Sequence, residues 1–412
     1  MVKKKVICAI SGGIDSAVSA FLLKRRGFDV HGLFMTNWDH AEEEGECSRT
    51  KDFADAERIC RHLNIELHSV NFVKEYWNEV FLPLIESYKQ GKAVVPDVGC
   101  NAMIKFGTFY KFAFESLKAD AVATGHYART SFGDFLESKK SDDKNEKCRL
   151  LRAKDSIKDQ TYFLANVSGE KLGNTMFPVG SLLKSQVQKI AAQEGLNFLL
   201  KKKESMGICF VGKRKSFPEF LTKYIEPQNG EIILASSGKI IGKHSGVFNF
   251  TLGKRISVSS ENYLSHDGLF VSKIDPINQR LFVHSGVFNF TLGKRISVSS
   301  ENYQSHDGLF VSKIDPINQR LFVCEGSQHP SLFARSFQIS SPFWISEPRK
   351  EKLEFALQRN QPLLECKLTN NNLVIPNRPV RAAALGQMCV FYDGEICLGG
   401  GEIDKIISTL ES

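Results

Sequence analysis

The stretch Val6-Ile7-Cys8-Ala9-Ile10-Ser11-Gly12-Gly13-Ile14-Asp15-Ser16-Ala17-Val18 decides the fold of this chain. Val6 to Ile10 is a continuous apolar run, the pattern of a parallel strand covered on both faces. Two glycines follow, which permit positive φ and leave no Cβ in the way of a bound group. Asp15 and Ser16 then open a helix that continues on helical spacing through Leu23. A strand, a glycine turn and a helix N-terminus together make an anion site, because unpaired N–H groups and the helix dipole point at the same place. The stretch lacks the Gly-Lys-Ser/Thr ending of a Walker A loop and the Gly-x-Gly-x-x-Gly of a dinucleotide fold.

Outward from this stretch, strands and helices alternate as far as about residue 205. Strands are expected at Val30–Met35, Glu66–Val70 and Ala121–Gly125. Helices are expected at Ala17–Arg26, Lys51–Leu63, Tyr76–Lys89, Ile104–Leu117 and Gln186–Glu194. This rhythm predicts a doubly wound parallel sheet with ligands beyond the carboxyl ends of its strands. Residues 131–148 read as an exposed polar loop. From about 225 onward short β-type runs, Gly and Ser predominate. The Tyr392-Asp393-Gly394-Glu395 turn is a hairpin signal, and the last segment reads as a small β-barrel or sandwich. Residues 244–283 recur as 284–323, differing only at Leu264 and Gln304. Solenoid repeats diverge and come three or more at a time, so this pair reads as a recent duplication or an assembly error in the gene model. The expected domains are 1–210, a central β domain over 211–323 that contains the repeat, and a C-terminal β domain over 324–412.

The 412 residues carry a net charge of +8, which fits a polyanionic partner where the basic residues cluster, as at Lys201-Lys202-Lys203 and Lys213-Arg214-Lys215. No apolar run approaches the ~20 residues of a membrane span. The opening Met1-Val2-Lys3-Lys4-Lys5 leads straight into the first strand, so no signal peptide or long transit peptide is expected within these residues, and a mitochondrial address is not read from them. None of the 10 cysteines forms Cys-x-x-Cys, and no Cys/His cluster has zinc spacing, so no metal site is expected. Most thiols are expected to be reduced and several simply buried.

Two cysteines stand out by context. In Val94-Val95-Pro96-Asp97-Val98-Gly99-Cys100-Asn101, Pro96 disfavours helix at Val95, which places Asp97 and Cys100 on a loop ahead of a helix N-terminus, where a thiolate is favoured. In the run from Lys202 to Arg214, Cys209 lies between Gly207 and Gly212 and between two basic clusters, and neighbouring cations raise the thiolate fraction.

The Ser11-Gly12-Gly13-Ile14-Asp15-Ser16 segment resembles the PP-loop of the ATP pyrophosphatase group, whose members split ATP between the α- and β-phosphates. With Pro96-Asp97-Val98-Gly99-Cys100-Asn101 and Glu204-Ser205-Met206-Gly207-Ile208-Cys209-Phe210 following in order, the chain resembles the tRNA-specific 2-thiouridylase family, most closely its eukaryotic mitochondrial members. Thr124-Gly125-His126-Tyr127-Ala128-Arg129, Lys158-Asp159-Gln160-Thr161-Tyr162-Phe163-Leu164 and Gly399-Gly400-Gly401 carry the likeness across nearly the whole chain.

The resemblance implies a PP-loop domain, a small central β domain and a C-terminal β-barrel. It implies ATP with Mg²⁺, tRNA as substrate, and replacement of the wobble-uridine O2 by sulfur after adenylation. Cys209 would carry the persulfide, Cys100 would be the nucleophile that ends in a transient disulfide with Cys209, and Asp97 an acid/base. Ala9, Ile10, Ser11, Gly12, Gly13, Ile14, Asp15, Ser16, Met35 and Gly125 would bind ATP. Val95, Pro96, Asp97, His126, Lys158, Asp159, Gln160 and Gln387 would meet tRNA. A cysteine desulfurase or a sulfur relay protein would supply sulfur, and the location would be mitochondrial, or cytoplasmic if the source is bacterial.

The chain departs from the family pattern at Val95 (for Asn), at Lys254 and Lys294 (for Gln), at Leu385 (for Pro) and near Cys366–Leu373, where a basic aromatic segment is missing. Two other readings compete: a different PP-loop adenylating ligase, which leaves both cysteines without a role, and a tRNA-binding paralogue with impaired catalysis.

Overall fold

The computed structural model describes residues 3–38, 48–89, 92, 94–139, 147–202, 220, 223–226, 333–381 and 383–409, and the backbone of the strands between 230 and 325. Its first sheet is wholly parallel. It contains β1 (Lys5–Ala9), β2 (Asp29–Thr36), β3 (Leu67–Asn71), β4 (Ala121–Ala123) and, past a short hairpin of β5 (Arg129–Thr130) and β6 (Leu150–Leu151), β7 (Thr175–Met176), in the order β3-β2-β1-β4-β7. The central strand explains the order. On β1, Val6 and Cys8 enter one apolar cluster and Ile7 enters another, so each face must be covered by helices. Helices α1 (Ile14–Arg25), α2 (Ser48–Leu63) and, later in the chain, Lys184–Gln193 cover the first face through Ala17, Val18, Ile59 and Val187. The second face is covered by two longer rods. One runs from α3 (Val73–Tyr76) through a π-helical turn into α4 (Leu82–Lys89). The other runs from α5 (Pro96–Gly99) through the π-helical Cys100–Thr108 into α6 (Phe109–Glu115).

Here the structure departs from the sequence reading. Asp97 and Cys100 are on a helix, not a loop. Pro96 occupies the first helical turn, where its missing N–H costs nothing, and only Val95, extended at φ −106° and ψ 98°, feels the restriction. Nor are residues 131–139 a wholly exposed loop, since Phe132 and Phe135 are buried.

The C-terminal unit is a closed barrel. Strands at Phe333–Ile339, Leu373–Pro376, Leu364–Leu368, Lys352–Ala356, Met388–Asp393 and Ile396–Thr409 pair in that order, and the last pairs back onto the first. The Asp-Gly signal is a real hairpin, with Asp393 opposite Ile396. The hairpin β5–β6 of the first unit adds to the barrel's last strand through Leu150↔Cys397 and Leu151↔Ile396. A third apolar cluster bridges the two units, joining Phe106, Tyr162 and Phe177 to Met388, Val390 and Tyr392.

Between these units the two repeat copies form matching ladders. Arg255–Ile256, Leu269–Asp275 and Arg280–Ser285 belong to a five-stranded sheet with Gly230–Leu234 and Ile240–His244. The second copy builds a separate four-stranded sheet with the same pairing 40 positions on, Arg295↔Phe310 answering Arg255↔Phe270.

The buried Tyr162 hydroxyl lies 2.9 Å from the Leu357 carbonyl and 3.0 Å from that of Met388, so one side chain joins the two units. Tyr162→Phe is expected to destabilise the docked pair by about 1–3 kcal/mol, the usual cost of a stranded buried polar group, read as a lower denaturant midpoint in equilibrium unfolding.

Candidate functional site

The glycine turn at the end of β1 is held from both sides. Ser16 Oγ receives the Ser11 N–H at 3.2 Å and donates to the Gly13 carbonyl at 2.9 Å. Gly12 adopts φ +72°, and a Cβ there would lie 2.3 Å from the Asp52 carbonyl oxygen. Gly13 caps α1 without a side-chain hydrogen bond to the first turn, so the helix start offers its N–H groups and dipole to an anion. Lys202 Nζ braces the outer side, 2.9 Å from the Gly12 carbonyl and 2.5 Å from Asp55.

Gly125 closes the turn from above. A Cβ on it would sit 2.7 Å from Ser16 N and 2.8 Å from Asp15 C, so only glycine lets the segment after β4 rest on the start of α1. Its neighbours exploit that closeness. Tyr127 donates its hydroxyl to Asp15 Oδ1 at 2.9 Å, and Lys184 Nζ holds both Asp15 oxygens at 2.7 and 2.8 Å. Gln160 exchanges bonds with Tyr127, its Oε1 accepting from Tyr127 N and its own N–H reaching Tyr127 O, both at 2.9 Å.

His126 turns the other way, toward the helix that begins at Pro96. Its Nε2 is 3.3 Å from Lys105 Nζ and its Nδ1 2.8 Å from Thr124 Oγ1. Burial, reinforced by Lys105, holds its pKa well below the usual 6.5. A lysine ammonium can only donate, so Nε2 accepts and the single ring proton sits on Nδ1, given to Thr124. Asp97, Cys100, Asn101 and Lys105 share that helix. Burial raises the Asp97 carboxyl above the usual range, opposed by Lys105 and, from the barrel, Arg359. Asn101 Nδ2 donates to the Asp97 carbonyl at 2.9 Å, while its Oδ1 is buried without a protein partner. Cys100 is buried on this helix and is not in a disulfide. Unwinding to π geometry over Cys100–Thr108 shifts side chains off the α-helical register, a feature frequent at functional sites.

Most of the residues read from sequence thus fall into two groups joined by Thr124–Tyr127. Ala9 to Ser16 and Gly125 meet at the loop, and Met35 lies near the carboxyl end of the adjacent strand β2. Val95, Pro96, Asp97 and Cys100 meet at the second helix, against which His126 rests. Lys158, Asp159 and Gln160 form the junction with the barrel. Asp159 is buried, accepting from Ala153 N and Thr161 Oγ1 and pairing with Arg152 at 3.3 Å. Gln387 is buried on the barrel side, its Nε2 donating to the Leu357 carbonyl at 3.0 Å. Cys209 and its flanking run, with the disulfide expected of it, lie outside the described residues.

Sequence reasoning missed Lys105, Tyr127, Lys184 and Arg359. Tyr127 lies inside a quoted motif and Lys105 follows Cys100 by little more than a turn, so both were within reach of spacing. Lys184 and Arg359 arrive from distant segments and carry no local signal. Burial pushes Cys60 and Cys366 up to about 12 and Cys148 up to about 11, so these are packing residues and poor thiolates.

Comparison with known proteins agrees with this layout. Residues 4–213 match a tRNA methyl transferase HUP domain, 218–284 a tRNA methyl transferase PRC-barrel domain, and 334–403 an aminomethyltransferase beta-barrel domain. The second repeat copy falls almost wholly between the last two spans. The chain is 45% identical over 418 residues to a probable mitochondrial tRNA-specific 2-thiouridylase 1 of Caenorhabditis elegans, covering 98% of this chain and 100% of that one. Mitochondrial tRNA-specific 2-thiouridylase 1 is 39% identical in Danio rerio and 38% in Homo sapiens, over 98% of this chain and 92% and 91% of theirs. The domain descriptions mention methyl transfer and the relatives thiolation. The relatives extend over all three domains and set the family.

His126 also predicts a pH effect. Its folded-state pKa lies below the unfolded value of 6.5, so its contribution is fully present above pH 6.5 and is lost as pH falls below it. Unfolding free energy measured from pH 7.5 to 5.5 should fall more steeply in the wild type than in His126→Gln, by up to about 1.4 kcal/mol per pH unit.

Proposed function

Because the chain belongs to the tRNA-specific 2-thiouridylase family, we propose that it is an ATP-dependent sulfurtransferase acting on the wobble uridine of mitochondrial tRNA. The observation that supports this most is the wall they share. Gly125 rests on the anion-binding turn, and the next residue, His126, is bonded to the helix that bears Asp97 and Cys100. An ATP α-phosphate at the turn and a uridine beside that helix would therefore be neighbours.

In this reading the uridine leaves its stack to enter the site. Its O2 attacks the α-phosphorus of ATP, pyrophosphate leaves, and the N3 proton passes to Asp97, whose raised pKa suits a proton carrier. The terminal sulfur of a Cys209 persulfide attacks C2. The Cys100 thiolate takes Sγ of Cys209, the persulfide S–S bond breaks, and a Cys100–Cys209 disulfide forms. The C2–O2 bond breaks, AMP departs with that oxygen, and N3 regains its proton beside the new thiocarbonyl. A thiol reductant reopens the disulfide, and a cysteine desulfurase or sulfur relay protein renews the persulfide.

Mg²⁺ characteristically rides on substrate phosphates with one or two carboxylates. Asp15, in the first turn of α1, would be the carboxylate to hold it through Oδ2, which keeps a lone pair beyond its bond to Lys184, and the ion would neutralise phosphate charge. Lys158, with the polar recess formed by Gln358, Arg359, Arg381 and Gln387 at the barrel junction, would receive the tRNA, and the buried His126 would act behind them by positioning Lys105. Val95 and Pro96 would flank the base, and Asp159 and Gln160 would set the junction's shape through the bonds described above.

Incubation of unmodified tRNA with ATP, Mg²⁺ and a persulfide donor should give 2-thiouridine by nucleoside mass spectrometry, with at least a hundredfold loss in Cys209→Ser and Cys100→Ser. Intact ATP and tRNA binding without 2-thiouridine would instead identify a non-catalytic tRNA binder. ATP cleavage driven by a small carboxylic acid would identify a PP-loop ligase.

A further inference from the structure

Strand β2 carries the acid-x-His pair Asp29-x-His31, and a second pair, Glu66-x-His68, runs from the residue before β3 into that strand. Alternation along a strand puts both members of each pair on one face. The parallel register Gly32↔Leu67 and Leu33↔His68 sets those faces side by side. Neither pair reads as a metal motif in sequence, because the grouping exists only once the strands are paired.

Three donor atoms converge there. His31 Nδ1 is 3.4 Å from His68 Nε2 and 3.3 Å from Glu66 Oε2, and His68 Nε2 is 3.7 Å from Glu66 Oε1. The two rings stack at 5.6 Å with an interplanar angle of 14°. Bonds of about 2.0–2.1 Å in a tetrahedral zinc site put ligands roughly 3.3–3.4 Å apart; the two nitrogens are already at that spacing, and with one Glu66 oxygen all three ligand atoms lie within 4.8 Å of one another. The remaining ring nitrogen of His31, Nε2, lies 3.5 Å from Asp29 Oδ1. That is the carboxylate–histidine arrangement that fixes a ligating imidazole's orientation and its free lone pair.

We propose that His31, Glu66 and His68 form a binding site for one divalent transition-metal ion of the zinc type, with Asp29 positioning His31 and the fourth coordination position left to water. Two neutral imidazoles and a carboxylate suit zinc and cobalt and are poorly matched to magnesium or calcium, which take oxygen ligands. The site is separate from the nucleotide turn, which leaves the opposite, carboxyl end of β1. The ion would clip the edge strand β3 to β2, a structural use, and would not enter the sulfur chemistry.

Metal-free, full-length protein is titrated with Zn²⁺ alone and, separately, with Co²⁺ followed by visible absorption. One equivalent should bind in the wild type, with tetrahedral Co²⁺ bands and no thiolate charge-transfer band. That equivalent should be missing in His31→Asn and in His68→Asn, and Asp29→Asn should weaken it by roughly 10- to 100-fold. Zn²⁺ should raise the thermal midpoint of the wild type and leave the histidine variants, matched to it without metal, unchanged. Binding that persists in both histidine variants, carries a thiolate band, or is absent from the wild type would overturn the site.

Discussion

The structure depends on one close approach. Gly125 brings the backbone after β4 onto the first turn of α1, at a distance no other residue's Cβ would permit. The residues around it then have little freedom. Tyr127 falls within reach of Asp15, Gln160 pairs with Tyr127, and His126 is driven inward against Thr124 and Lys105. A short segment thus meets the anion-binding turn on one side and the Asp97–Cys100 helix on the other. Through Gln160 and Asp159 it also reaches the barrel, where Arg359 Nε donates to the Asp159 carbonyl at 3.1 Å.

Burial gives this junction its chemical character. It keeps His126 neutral in one tautomer and raises the Asp97 carboxyl, while Lys105 acts on both. The same desolvation silences the core thiols. Burial alone raises the Cys60 thiol, and it outweighs the neighbouring Lys139 at Cys148, so both are poor thiolates. The barrel contributes as well as docks: a third apolar cluster and the Tyr162 hydroxyl fix it, and Arg359 brings charge to bear on Asp97.

Much of this was legible from the residues. The apolar run into Gly12-Gly13 specified a parallel strand, a turn and a helix, because burial on both faces and positive φ each leave a mark on composition. The Asp393-Gly394 turn likewise marked its hairpin. Pro96 was misread, because a proline that restricts the residue before it can equally open the helix that follows. Closure of the last β unit into a barrel was not separable from a sandwich, since both use the same alternation and only the pairing of Phe333–Ile339 with the final strand distinguishes them. Arg359, Lys184 and the His31–Glu66–His68 grouping were invisible for a common reason: their partners are distant in sequence and adjacent only through tertiary contacts.

The central claim is that the nucleotide turn and the Asp97–Cys100 helix act on one uridine, with ATP activating its O2. The most direct measurement uses tRNA carrying ¹⁸O at C2 of the wobble uridine and follows the label through one round of thiolation. The account predicts that AMP is recovered with one ¹⁸O on its phosphate, in a one-to-one ratio with 2-thiouridine. Unlabelled AMP, with the ¹⁸O released to water, would contradict it, because ATP would then be cleaved without ever being joined to the oxygen that sulfur replaces.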